Sequence, residues 1–202
     1  MSGKTAEAKT QVKGTRRLFV ALLPTDPVRS ALDSLATGPS AVRWTDPNDL
    51  HLTLRFIGNA APGTEPAIVE ALETVQVARF FLDVGEVGQF PPRGRPSVLW
   101  AGIGRGHPLL HQLRQQVDDY LLALALPLEL GSFVPHLTLG RCRNAPPVAI
   151  AHWLKRHRNF AGPIWPVDAF HLMASETLHP GRRYRSLRRF PLLGPDGSAP
   201  AT

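Results

Sequence analysis

Two tetrapeptides decide the reading of this chain: His51-Leu52-Thr53-Leu54 and His136-Leu137-Thr138-Leu139. The chain has 28 Leu, 12 Thr and 8 His among 202 residues. At that composition a given His is followed by Leu-Thr-Leu on the order of once in a thousand. Two such cases arise by chance on the order of a few times in a hundred thousand unrelated chains. The repeat therefore reads as two related halves. One explanation is a duplicated strand with no chemistry, since HLTL is good strand sequence. The other follows from alternation: side chains along a strand point to opposite faces with period two. Leu52 and Leu54 then anchor the strand in a core, and His51 and Thr53 share the other face, where they need water, a cleft or a ligand. The second tetrapeptide repeats the arrangement, so halves related by a pseudo-twofold bring two His and two Thr to one cleft.

Working outward, strands and helices alternate. Leu18–Leu23 is a short apolar run bounded by basic residues and Pro24, a buried strand. Thr25 or Asp26 is placed to cap a helix that carries Val28, Ala31, Leu32 and Leu35 and stops at Gly38. His51–Ile57 reads as strand, and Thr64-Glu65-Pro66 opens a second helix over Ile68, Ala71, Leu72 and Val75. Phe80–Val87 and Ser97–Ile103 are strands joined by the loop Phe90–Pro96. A long helix from about His107 to Leu126 follows, with the stripe Leu110, Leu113, Val117, Leu121, Leu124. Phe133–Cys142 is strand and Val148–Arg158 helix. Val167–Ser175 and Tyr184–Phe190 are strands separated by the turn His179-Pro180-Gly181. The polar stretches 1–14 and 194–202 read as disordered tails, leaving one bilobal domain over 15–193.

Composition excludes several classes. Apolar residues make up 43% and charged residues 19%, the balance of a globular chain long enough for a sizeable core. The single cysteine, Cys142, rules out an internal disulfide framework and a Cys-rich zinc site. No apolar run approaches a membrane span, and the first residues lack the apolar segment of a secretory signal. A cytoplasmic location with no membrane partner is expected. A net charge of +7 favours a polyanionic partner without naming one.

Two imidazoles and two hydroxyls suit phosphoryl chemistry without metal. A neutral His takes a proton from attacking water, a protonated one gives a proton to the leaving oxygen, and Thr hydroxyls donate to the non-bridging oxygens. No Asp or Glu sits inside either tetrapeptide to complete a metal site. His107 and His111, spaced i, i+4, lack a carboxylate between them and read as ordinary surface. The chain has no G-x-S-x-G elbow, no Walker loop and no dinucleotide fingerprint. No cofactor is expected.

Paired H-x-T-hydrophobic motifs in two similar halves resemble the two-histidine phosphoesterases. Within them the match is to the RNA 2',3'-cyclic phosphodiesterases, also called the 2'-5' RNA ligase family. The resemblance rests on Arg17–Ala21, Asn48–Leu54, Phe56-Ile57-Gly58, Val98–Gly102, Pro135–Leu139 and Arg182-Arg183-Tyr184. It implies an α+β bilobal fold, two antiparallel sheets around a central cleft with helices outside. It further implies metal-independent opening of RNA 2',3'-cyclic phosphate ends, or of nucleotides bearing that group, to 2'-phosphomonoesters. His51 would be the general acid, His136 the general base, and Thr53, Thr138 and Arg141 the phosphate holders. The same chemistry reversed is 2'-5' ligation, and a cleft kept only for binding RNA ends is the non-catalytic alternative. A monomer with no obligate protein partner is expected.

Arg141 poses a geometric question. Alternation from His136 and Thr138 points Gly140 into the cleft and Arg141 away from it, unless a bulge or strand end at Gly140 turns Arg141 inward. Phe56 holds the equivalent place in the first half and either lines the nucleoside side of the cleft or packs in the core; Tyr184 is likewise a candidate nucleoside contact, by base stacking, with packing as its competing role. Trp44, Phe90 and Trp100 are further candidates for base stacking, with packing the competing role. The basic clusters Lys155–Arg158 and Arg182–Arg189 are a solvated face or a track for RNA phosphates.

Overall fold

A computed structural model describes residues 16–61, 63–103, 107–127, 131–178 and 181–194. The expected tails, beyond Gly194 at the C-terminal side, and the turn residues His179 and Pro180 lie outside the described residues. The elements run β1 (Arg16–Leu22), α1 (Asp26–Asp33), β2 (Val42–Trp44), a 3₁₀ turn (Pro47–Asp49), β3 (Leu52–Ala60), α2 (Thr64–Glu73), β4 (Phe80–Phe90) and β5 (Val98–Ile103). They continue with α3 (Pro108–Ala123), β6 (His136–Cys142), α4 (Pro147–His157), β7 (Ala161–Val167), β8 (Ala169–Leu178) and β9 (Gly181–Pro191).

The strands form a nine-stranded antiparallel sheet of order β7-β4-β5-β6-β3-β1-β8-β9, with β2 paired to β6. It divides into two four-stranded halves, each with its HLTL strand innermost. These meet edge to edge at one Cα pair, Leu52 opposite Leu137. The paired residues are the same motif position, so the pseudo-twofold passes between them. The fold is α+β, and the two sheets of the expected architecture are joined at this seam.

Alternation sorts the strands into two faces. Leu18, Val20 and Leu22 join the large core with Leu52, Leu54, Leu137, Leu139 and the helix stripes. Phe19 and Ala21 point the other way and form a small cluster with Met173. In α3 the buried residues are Leu110, Leu113, Val117 and Leu121, as their spacing requires; in α4 they are Ile150 and Trp153.

Several boundaries differ from the sequence reading. α1 ends at Asp33, well before Gly38, and its N-cap Thr25 makes no side-chain capping bond. Gly38 instead sits under Trp153, where a Cβ would approach the indole to 2.9 Å. β7 was not anticipated because Pro163 and Pro166 break its pattern; it is an edge strand, where proline is tolerated. The three-residue β2 carries too little pattern to be read. Trp44 packs against Trp153, centroids 5.6 Å apart, and partly joins the core rather than offering a stacking surface.

Candidate active site

The 3₁₀ turn is held by the Asp46 carboxylate, which accepts from the Asn48 N–H at 2.9 Å. It delivers the Asp49 carbonyl to Nδ1 of His51 at 2.7 Å. In the second half the Val134 carbonyl lies 2.7 Å from Nδ1 of His136. Both imidazoles are thus anchored to the backbone two residues earlier. A carbonyl only accepts, so each Nδ1 carries the hydrogen and each Nε2 is left to act.

Leu52 and Leu137 are fully buried, while His51, Thr53, His136 and Thr138 are half-buried on the opposite face. The Leu52–Leu137 pairing fixes their layout. Continuing each strand by one residue sets the two His diagonally across the seam, roughly 8 Å between Cα atoms.

Each HLTL strand then carries the same β-bulge. Val20 pairs with Arg55 and Ala21 with Thr53, so Leu54 is the extra residue. Leu99 pairs with Gly140 and Trp100 with Thr138, so Leu139 is extra in the second half. In both halves the bulged Leu and its successor are buried together. The effect is to invert the alternation. Phe56 and Arg141 therefore emerge on the His/Thr face, both exposed, and Phe56 is not a core residue. The irregularity considered at Gly140 falls one residue earlier. Arg55, which strict alternation would put in the cleft, goes inside. Gly140, at the matching position, leaves room for β2: a Cβ there would come within 3.1 Å of the Arg43 carbonyl.

Aromatic rings wall both imidazoles. Tyr184 meets His51 edge-on at 4.6 Å and Phe19 lies 5.0 Å away; Phe56 is 6.1 Å from Phe19. Phe90 meets His136 edge-on at 5.0 Å. Arg43 lies opposite Arg141 in the β2–β6 ladder and so shares its face, a second cation that no motif announced. Burial lowers the pKa of both His51 and His136, and the Arg141 charge lowers both further. The charge of His136 also lowers His51, so the two rings lie within electrostatic reach of each other. The halves differ in one respect: the Asp49 carboxylate pulls His51 upward, and nothing comparable acts on His136. That carboxylate is tied to the far hairpin through the Tyr184 N–H, which donates to Asp49 Oδ1 at 3.3 Å.

The remaining candidates lie elsewhere. His107 stacks on Phe80 and His111 abuts Phe133. Lys155, Arg156 and Arg158 line an open hollow with His152 and Asn159. On β9, Arg185, Arg188 and Arg189 pair with Glu176, Glu73 and Asp168, which favours the solvated-face reading for these three; the side chain of Arg182 is outside the described residues.

Known proteins share this architecture. The model of the 2'-5' RNA ligase superfamily matches residues 23–177. The RNA 2',3'-cyclic phosphodiesterase of Thermus thermophilus is 34% identical over 194 residues, covering 90% of this chain and 92% of its own. That of Archaeoglobus fulgidus is 30% identical over 177 residues, covering 86% and 99%. The chain spans under two thirds of two other relatives of that name, 64% of the Aeropyrum pernix protein and 58% of the Geobacillus stearothermophilus protein. The crystal structure of TT0787 of Thermus thermophilus superposes with a TM-score of 0.76 at 27% identity, covering 89% of this chain and 99% of that one.

Proposed function

Since the chain belongs to the 2'-5' RNA ligase superfamily, we infer that it is an RNA 2',3'-cyclic phosphodiesterase. Its reaction is hydrolysis of a ribose 2',3'-cyclic phosphate to a 2'-phosphomonoester, by general acid–base catalysis with two histidines. The observation that carries this reading is the duplicated setting of His51 and His136. Each ring is anchored by a backbone carbonyl two residues back, each is beside a Thr, and the two lie diagonally across one seam.

In the proposed sequence the cyclic phosphate sits over the seam. Thr53 and Thr138 donate to its non-bridging oxygens, and the Arg141 guanidinium offsets the charge that grows there as water adds. His136, neutral at Nε2, takes the proton of the attacking water. His51, protonated, delivers its proton to O3' as the P–O3' bond breaks. The phosphate stays on O2'. Asp49 supports this division of labour, because its carboxylate favours the protonated form of His51 alone. Tyr184, whose ring meets His51 edge-on, and Phe56, exposed further along the same face of β3, would meet the nucleoside. The partner is thus an RNA end or a nucleotide bearing the cyclic group, and we infer a soluble, monomeric protein working in the cytoplasm. Among the described residues no helix is long and apolar enough to cross a membrane.

The test is direct. Adenosine 2',3'-cyclic phosphate is incubated with the protein in excess chelator and followed by phosphorus NMR. Adenosine 2'-phosphate is the expected product. A 3'-phosphate product, or turnover that chelator abolishes, contradicts the mechanism.

A further inference from the structure

β6 gives one edge to β5, from Val98 opposite Arg141 to Gly102 opposite His136. Its other edge changes partner along its length. At the seam Leu137 faces Leu52 of β3. The Thr45 N–H then donates to the Leu139 carbonyl at 2.8 Å, and β2 takes over, with Trp44 opposite Gly140, Arg43 opposite Arg141 and Val42 opposite Cys142. The Arg143 N–H carries the ladder a step further, to the Ala41 carbonyl at 2.7 Å. β2 thus extends the line of β3 backwards past His51, and Arg43 stands on the His51 side of the seam. It faces the cleft, because Val42 and Trp44 on either side of it pack toward the core. Allowing for the bulge, Arg43 lies roughly 10 Å along β6 from the seam. β3 and β6 run away from the Leu52–Leu137 pair in opposite directions, so Phe56 lies at the other end of the cleft. The Arg43 end is rich in cations. Arg141 and Arg143 come from β6 and its exit, Arg93 and Arg95 from the loop between β4 and β5, and all of them are exposed, as is Arg43. Arg95 is brought to the β6 exit by its Nη2, which donates to Asn144 Oδ1 at 2.6 Å. Neither 91–97 nor 139–147 contains an Asp or a Glu.

A ribose that carries the cyclic phosphate on C2' and C3' has two other exits. The base leaves from C1' and the 5'-carbon from C4', on opposite flanks of the ring. With the phosphate over the seam, the ribose on the His51 side and the base toward Phe56, the 5'-carbon points back along β2. We propose that Arg43, at the head of the rim formed by Arg143 and Arg95, is the subsite for the phosphate on the 5' side of the terminal nucleotide. The site then selects RNA chain ends and 5'-phosphorylated nucleotides over the bare nucleoside cyclic phosphate. The inference rests on the cyclic-phosphate reading above and adds what the enzyme requires beyond the reacting group. Arg43 touches no reacting atom in this arrangement; it sets specificity. A guanidinium suits the task because it meets two phosphate oxygens at once. Phosphates further upstream pass to Arg143 and Arg95. One charge-assisted contact of this kind raises kcat/KM by roughly ten- to a hundredfold.

The experiment compares kcat/KM, in chelator, for adenosine 2',3'-cyclic phosphate, for the same compound bearing a 5'-phosphate, and for the adenosine dinucleotide ending in a 2',3'-cyclic phosphate. The reading is the ratio of each of the latter two to the first, so a loss of folded enzyme cancels. Both ratios are expected to be about ten or more in the wild type. Arg43→Gln is expected to lower both about tenfold, and Arg43→Lys to keep part of the preference. Lys155→Gln removes the same charge from α4, which packs on the core face through Ile150 and Trp153, away from the cleft; it is expected to leave both ratios unchanged. Wild-type ratios near one overturn the subsite while hydrolysis stands. So does an equal loss on all three substrates in Arg43→Gln, which would put Arg43 on the reacting phosphate. So does an equal fall of the ratios in Lys155→Gln, which would reduce the preference to overall charge. Absence of any opening of the three cyclic phosphates overturns the hydrolase reading, and the subsite with it.

Discussion

Arg55→Met is expected to unseat the strand that carries the first motif. Arg55 is 1% exposed, the one charged side chain so buried among the described residues. Its Nη1 donates to Asp118 Oδ1 at 2.5 Å, its Nη2 to the Pro127 carbonyl at 2.6 Å, and its Nε to the Phe56 carbonyl at 3.2 Å. These bonds staple β3 to α3 and to the chain leaving it, just after the Leu54 bulge. Methionine preserves much of the volume and none of the donors. It leaves Asp118, 17% exposed, with Arg114 at 3.4 Å, and takes one donor away from the Phe56 and Pro127 carbonyls. Breaking a buried pair from one side costs about 3–5 kcal/mol. Because Asp118 keeps Arg114 and some solvent, the lower end applies, about 3 kcal/mol. For a chain of this length that is a fall of about 6–12 °C in Tm. Urea and thermal unfolding followed by circular dichroism measure it. The double variant Arg55→Met/Asp118→Leu removes the stranded carboxylate as well, and should be less destabilised than the two single losses combined by at least about 1 kcal/mol. A single variant within about 1 kcal/mol of wild type, or strictly additive losses, would refute the staple.

Three further predictions concern the cleft. Asp49→Asn removes the one carboxylate that favours protonated His51, so the alkaline limb of kcat/KM should move to lower pH while the acid limb, set by His136, stays; a shift of both limbs together contradicts the asymmetry. Arg141→Ala should lower kcat/KM by about 10²-fold or more, the scale of losing one preorganised donor to the developing charge, with Lys recovering part; a change confined to KM would make Arg141 a ground-state binder only. His171, whose Nδ1 lies 2.9 Å from Ser186 Oγ, has its pKa lowered from 6.5 to about 4, chiefly by burial and then by Arg189, with Asp168 opposing. Its neutral form is the folded one, so the fold keeps its full stability above pH 6.5. It then loses about 1–2 kcal/mol towards pH 4 as the unfolded chain takes up the proton, a figure reduced for the ring's partial exposure. His171→Gln should flatten that part of the urea stability profile, and an unchanged slope would refute the assignment.

Much of the site is legible in the sequence because strand alternation is local. Leu52 and Leu54 buried, with His51 and Thr53 on the other face, follows from period two alone, and so does the matching set at His136. The bulges are not legible. Nothing in Leu54-Arg55-Phe56 or Leu139-Gly140-Arg141 announces an extra residue, since the register is set by β1 and β5, distant in the chain. That is why Arg55, which alternation points into the cleft, lies in the core, and why Arg141, which alternation points away, turns inward. Asp49 and Arg43 were missed for the same kind of reason. A 3₁₀ turn and a three-residue strand carry no periodicity, and their importance comes from where His51 and Arg141 end up. Trp44 shows the converse: an aromatic that composition offers to the ligand is claimed by Trp153 across the core face.

The central claim is that two imidazoles act on one phosphorus, one as acid and one as base. It is tested most directly by the pH dependence of kcat/KM on a 2',3'-cyclic nucleotide, in chelator, for wild type, His51→Ala and His136→Ala. Wild type should give a bell centred below pH 6.5, because burial lowers both groups from that value. Each variant should be slower by about 10²–10⁴-fold. His51→Ala should lose the alkaline limb and His136→Ala the acid limb. Wild-type turnover in either variant, or a full bell surviving in both, would contradict it.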